Sequence, residues 1–141
     1  MKTRDELSTA KPIVAVVDSD PAVRNSLRFS LEVEGLAVRE YPAGADLLKD
    51  VEHAAVDSMV LDERMPAMSG LDTIARLREL NISVPTMLMA SRLTPALRER
   101  VRRAGVSVVE KPLLGDALIE WIRKTFSPAI NTGRQLSARH D

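Results

Sequence analysis

The chain has no cysteine among its 141 residues and only two histidines, His53 and His140. Disulfides, thiolate metal sites and a cysteine nucleophile are thereby excluded, and a cysteine-free chain agrees with the cytoplasmic location we expect. The histidines stand far apart, one in an expected loop and one in the tail, without the company that catalysis or zinc ligation needs. No apolar run approaches the ~20 residues that span a bilayer, and Met1-Lys2-Thr3-Arg4-Asp5-Glu6 lacks the apolar core of a signal peptide. Net charge is missing too, 20 basic residues cancelling 20 acidic ones, so no overall field draws nucleic acid; neither direct nucleic-acid binding nor a membrane partner is expected. There is no internal repeat or low-complexity tract. No glycine-rich phosphate loop follows the first apolar run, which disfavours a nucleotide-binding module.

What is present is the composition of one soluble domain, 45% apolar and 28% charged. Its organising stretch is Val60-Leu61-Asp62-Glu63-Arg64-Met65-Pro66, where a short apolar run ends on an acid and a proline forbids continuation. Asp62 is therefore expected at the tip of a buried strand, where a carboxylate loses hydration unless something pairs with it. Residues 1–11 read as a flexible leader. Ile13-Val14-Ala15-Val16-Val17 runs without alternation, as a strand covered on both faces does, and stops at Asp18-Ser19-Asp20-Pro21. Asp20 suits a helix N-cap and Pro21 the first helical position. The following helix carries Val23, Leu27 and Leu31 and ends near Gly35. Leu36–Tyr41 is a more exposed strand and Ala43–Asp50 a short helix. A helix from Gly70 uses Leu71, Ile74, Ala75 and Leu80 as its apolar positions. Thr86–Ala90 is a fourth buried strand, Thr94-Pro95 opens a helix that Gly105 ends, and Val106–Val109 is a fifth strand. A last helix from Gly115 to Phe126 presents Leu118, Trp121, Ile122 and Phe126, and Ser127-Pro128 is expected to close it. The domain thus covers 12–127, with 128–141 a tail or linker stub.

Strands alternating with helices on short connections predict a doubly wound five-stranded parallel α/β sheet. Ligands of such sheets bind beyond the carboxyl ends of the strands, where strand order reverses. Asp18, Asp62, Ala90-Ser91 and Lys111 all fall there. Val17-Asp18, Leu61-Asp62-Glu63-Arg64-Met65-Pro66-Ala67-Met68-Ser69-Gly70-Leu71 and Ala104-Gly105 with Glu110-Lys111-Pro112 resemble the receiver domain of two-component response regulators, over about Ile13 to Phe126. The Arg-Met-Pro-x-Met-Ser-Gly run is most similar to receivers attached to transcriptional output domains. The resemblance implies a flavodoxin-like strand order 2-1-3-4-5 and phosphoryl transfer from the phosphohistidine of a sensor histidine kinase to Asp62. It implies Mg2+ held by Asp18, Asp62 and the Arg64 carbonyl, with Ser19 or Asp20 as a further ligand, and Lys111 on a phosphoryl oxygen. It also implies signalling through protein contacts, as a homodimer formed by the fourth helix, fifth strand and fifth helix. On that reading the chain is a phosphoacceptor, with self-dephosphorylation at most, and not an enzyme.

Three positions depart from the family pattern. Receivers carry two adjacent acids after the first strand, whereas here the second is Ser19, a neutral ligand that weakens magnesium binding. The fourth strand ends on Ala90 instead of a switch hydroxyl, with Ser91 as a substitute one step late. The switch aromatic of the fifth strand is Val108. These departures support an alternative, a degenerate receiver that works by constitutive contact. A remoter alternative rests on Asp18-Ser19-Asp20, which fits the opening of haloacid-dehalogenase-type phosphatases with Asp18 as nucleophile. The stripe Arg98-Glu99-Arg100-Val101-Arg102-Arg103 reads as a solvated face or as part of the dimer surface.

Overall fold

A computed structural model describes residues 10–51, 55–111 and 117–130, with side chains described through 126 in the last helix. His53, His140, Pro112 and the expected start of the last helix at Gly115 lie outside the described residues, as do most of the leader and tail. The elements are β1 (Ile13–Val17), α1 (Pro21–Val33), β2 (Ala37–Tyr41), α2 (Gly44–Asp50), β3 (Ser58–Asp62), α3 (Gly70–Glu79), β4 (Thr86–Ala90), α4 (Pro95–Ala104), β5 (Ser107–Glu110) and α5 (Ala117–Ile130). The strands form one parallel sheet in the order β2-β1-β3-β4-β5. This is the flavodoxin-like order that the resemblance implies.

Alternation along the strands divides the core into two layers. Ala15, Val17, Met59, Leu61 and Leu88 face α2, α3 and α4, packing with Leu47, Ile74, Leu77 and Val101. Val14, Val16, Val60, Met87 and Met89 face α1 and α5, packing with Leu27, Leu31, Leu118, Ile122 and Phe126. The central strands are buried on both sides, which is why they read as unbroken apolar runs.

Helix starts follow local chemistry. Asp20 accepts from the Ala22 N–H ahead of Pro21, Ser69 accepts from Asp72 N–H, and Thr94 accepts from Leu97 N–H ahead of Pro95. Gly105 ends α4 at φ 69°, the left-handed conformation a side chain resists. Two expectations about helices are corrected. In α3 the deep apolar residue is Leu77, whereas Ala75 is exposed and Leu80, at the C-cap, is exposed by 47%. The Leu71, Ile74, Leu77 spacing keeps the core face, and Leu80 has rotated past it. In addition, α5 continues through Ser127-Pro128 to Ile130, beyond the boundary placed at 127. A proline forfeits the bond to residue i−4 and bends a helix without having to stop it.

Gly70 is where packing leaves no room for a side chain. A Cβ there would lie 2.6 Å from the Asp62 carbonyl oxygen, 2.6 Å from Leu88 Cδ1 and 3.1 Å from Glu63 Cα. The start of α3 is thereby set directly against the end of β3. Gly70→Ala should destabilise the fold by about 1–3 kcal/mol in urea unfolding, the usual cost of overpacking against backbone; a change under about 0.5 kcal/mol would show that α3 shifts freely from β3.

Candidate functional site

The strand register brings three ionisable side chains together. Val16 pairs with Val60, and Met89 with both Asp62 and Val109. Asp18, Asp62 and Lys111 each follow one of those valines by two residues, so all three leave their strand ends on the same side of the sheet. Lys111 Nζ lies 2.7 Å from Asp18 Oδ2, as a hydrogen bond, and 3.4 Å from Asp62 Oδ1, as a looser ion-pair contact. The Asp18 side chain is 1% exposed and that of Asp62 8%. Lys111 N–H also donates to the Ala90 carbonyl, fixing the lysine backbone to the tip of β4.

Asp18 is held at every oxygen. Its Oδ2 receives Lys111, its Oδ1 receives the Asp20 N–H at 2.9 Å, and its carbonyl receives Arg24 Nη1 at 2.7 Å. Asp62 is not so served. Its Oδ1 is buried and accepts no hydrogen bond of good geometry. Burial pushes the Asp62 carboxyl above its ordinary range, the Asp18 charge adds to the rise, and Lys111 with the Arg64 backbone N–H only partly opposes it. For Lys111, burial pulls the ammonium down, but the Asp18 hydrogen bond and the two carboxylate charges outweigh it and leave it raised.

Two mutually repelling carboxylates, one with an unsatisfied buried oxygen, form a donor set that suits a small hard cation. Among the described residues no cluster of three or more His, Asp or Glu side chains forms, so a cation here would draw on two carboxylates, backbone carbonyl and water. Ser19 and Asp20 are exposed, and Asp20 Oδ1 is engaged in capping α1. Arg64 is exposed in the loop that follows Asp62. Ala90, buried at the end of β4, and Ser91, exposed, line a cleft of about 360 Å³ with Glu63, Arg64, Met65, Ser69, Arg92 and Leu97. Ala90 belongs to the opposite side of its strand from Met89, hence from Asp62 and Lys111. Val108 is half-buried in the layer beneath α4.

Three supporting residues escaped the sequence reading. Glu63 Oε1 accepts from Leu71 N–H and the Glu63 carbonyl from Gly70 N–H, tying the loop after Asp62 to the α3 N-terminus. Met65 is a loop residue buried in the core beneath α3. Arg24 joins the Asp18 carbonyl to Glu40 on β2. Only Arg24 left a signal, because Asp20, Arg24, Arg28 and Glu32 recur every four residues and so share one helix face.

Comparison with known proteins agrees with the fold. Residues 14–123 match the family model described as the response regulator receiver domain. The chain is 32% identical over 129 residues to the transcriptional regulatory protein FixJ of Azorhizobium caulinodans, covering 91% of this chain and 61% of that one. It is 30% identical over 124 residues to the response regulator protein TodT of Pseudomonas putida, covering 87% and 55%. The chain thus spans little more than half the length of these curated relatives. The chemotaxis protein CheY4 of Vibrio cholerae shares the fold, with a TM-score of 0.76 at 20% identity, covering 82% of this chain and 99% of that one.

The raised Asp62 carboxyl sets a pH dependence. A folded-state value above the unfolded one means that the folded chain holds the proton more tightly, so the destabilisation is absent below the unfolded value, ~3.9, and grows as pH rises through it toward the folded value. In chemical unfolding without divalent cations, Asp62→Asn should be more stable than the unaltered chain at pH 7, by about 1 kcal/mol or more. The difference should shrink as the pH falls toward ~4. Equal stability at pH 7 would mean that Lys111 fully offsets the burial.

Proposed function

We propose, because this chain belongs to the response regulator receiver family, that Asp62 accepts a phosphoryl group from the phosphohistidine of a sensor histidine kinase and that the chain signals through protein contacts. What supports the reading is the convergence of Asp18, Lys111 and the under-solvated Asp62 carboxylate at the carboxyl end of the sheet. An Asp62 oxygen attacks phosphorus, the P–N bond to the kinase imidazole breaks, and the imidazole nitrogen keeps the electron pair. An acyl phosphate forms on Asp62. Lys111 stays within reach of both carboxylates and meets a phosphoryl oxygen by a short displacement from Asp62. Magnesium held by Asp18, Asp62 and the Arg64 carbonyl would supply the positive charge that the transferring oxygens need. Ser19 adds no charge to that set, so the magnesium requirement is high.

The family's signalling surface, formed by α4, β5 and α5, is our proposed homodimer contact. On α4 the charges are partly self-paired, since Glu99 binds Arg102 and Arg103; Arg98 and Arg100 extend the basic face. A second reading, a receiver that acts without phosphorylation, is favoured by one observation: Ala90 offers no hydroxyl at the tip of β4, and Ser91 stands exposed beyond it.

Incubation with acetyl phosphate and magnesium, read by intact mass, should add one phosphoryl group to the unaltered chain and none to Asp62→Asn. Asp18→Asn should slow labelling at least tenfold, a loss of about 1.4 kcal/mol of transition-state stabilisation. Labelling that survives Asp62→Asn but not Asp18→Asn would instead identify the phosphatase-type nucleophile. The magnesium and beryllium-fluoride mimic should also change the amide spectrum of α4 and β5; an unlabelled, unresponsive chain would favour the phosphorylation-independent reading.

A further inference from the structure

Asp18 is the only one of the three site residues whose backbone is gripped by a cation from behind. Arg24, one turn into α1, donates Nη1 to the Asp18 carbonyl at 2.7 Å and Nε to Glu40 Oε1 at 3.2 Å. Its side chain is 17% exposed, so the bond is partly shielded from water. Glu40 also accepts from Arg28 Nε at 2.6 Å, while Arg28 reaches the Val38 carbonyl and Glu32. That arginine hydrogen bond holds the Glu40 carboxyl below its usual range; burial opposes it and Arg24 adds to it. A ladder of alternating charges therefore runs from β2 along one face of α1 and ends on the loop that carries Asp18. The Asp18 carboxylate itself depends on backbone placement, because Oδ1 takes the Asp20 N–H of the same loop and Oδ2 must reach Lys111.

From this arrangement we infer that Arg24 is a positioning residue of the phosphoacceptor site: it fixes the Asp18 carbonyl so that the Asp18 carboxylate is presorted for a divalent cation. The inference rests on the phosphoacceptor reading above. It matters more in this chain than where two adjacent acids share the task, since Ser19 supplies no carboxylate and one misplaced aspartate halves the charged donor set. A charge-assisted bond to a carbonyl is among the stronger hydrogen bonds, and a guanidinium spans the carbonyl and Glu40 at once, which an ammonium cannot do equally well.

The test is magnesium titration of the full chain, followed by the amide resonances of Ser19 and Asp20, with no phosphodonor present. Arg24→Ala should raise the magnesium Kd at least fivefold. Arg24→Lys should fall between it and the unaltered chain, and Glu40→Gln should raise Kd about twofold by loosening the guanidinium. Hydrogen exchange at the Asp20 N–H should accelerate in Arg24→Ala while amides at the centre of β3 keep their protection, a split that a general loss of stability would not produce. A Kd within twofold of the unaltered chain in Arg24→Ala, with the unaltered chain responsive, overturns the inference alone. If Arg24→Ala does not fold, Arg24→Lys decides, and an unchanged Kd there overturns it equally. No magnesium response in the unaltered chain, or a response that survives Asp18→Asn, overturns the phosphoacceptor reading and this inference with it.

Discussion

Lys111 is shared between two buried carboxylates that would repel each other without it. The contact is asymmetric, a hydrogen bond to Asp18 and a longer approach to Asp62, and that asymmetry defines the site. Asp18 is fully committed to its partners, whereas Asp62 keeps an oxygen without one. A buried carboxylate left short of partners in a water-poor position favours whatever restores the missing positive charge. The ammonium that stabilises the pair holds Asp62 by the weaker of its two contacts, which is why the proposed phosphoryl contact is assigned to it.

The arrangement has a backbone cause. Parallel strands in register put Val16, Val60 and Val109 on one side of the sheet, and Asp18, Asp62 and Lys111 each follow one of them by two residues, so the trio assembles from the ends of β1, β3 and β5 without any loop having to reach across. Loops then refine it. Gly70 admits the α3 N-terminus against the Asp62 carbonyl, Glu63 binds that same helix end, and Arg24 pins the loop after β1. Each of these contacts fixes backbone, which is the economical way to orient a short side chain such as aspartate with only two rotatable bonds.

Much of this was legible in the sequence because its causes are local. The unbroken run of β1, the Asp20-Pro21 and Thr94-Pro95 starts and the left-handed Gly105 each follow from neighbouring residues. Asp18, Asp62 and Lys111 stand out because an acid or a lysine ending an apolar run has few structural reasons to be there. What stayed hidden depends on distant partners. Arg24 meets Glu40 sixteen residues away. Leu77 is different in kind, since it stands three residues past Ile74 on the same face, whereas Leu80, nine residues past Leu71, falls on the opposite side of the helix. Pro128 misled because a proline's local cost is real but a single lost bond need not end a helix.

The family departures divide by location. Ser19 lies in the loop that Asp20 and Arg24 hold, so the weakness it introduces is one of charge, not of geometry. The side chains of Ala90 and Val108 face the layer beneath α3 and α4, on the other side of the sheet from those of the trio, although the Ala90 carbonyl accepts from Lys111 N–H. On the phosphoacceptor reading proposed above, these two positions bear on the response to phosphorylation and not on the three side chains that would accept the group. A conformational equilibrium shifts only through contacts that differ between its two states. Glu110, adjacent to Lys111, accepts from Leu93 N–H in the loop that leads into α4. Lys111 is thus tied by its own N–H to the Ala90 carbonyl at the tip of β4, and through the neighbouring Glu110 side chain to the loop before α4.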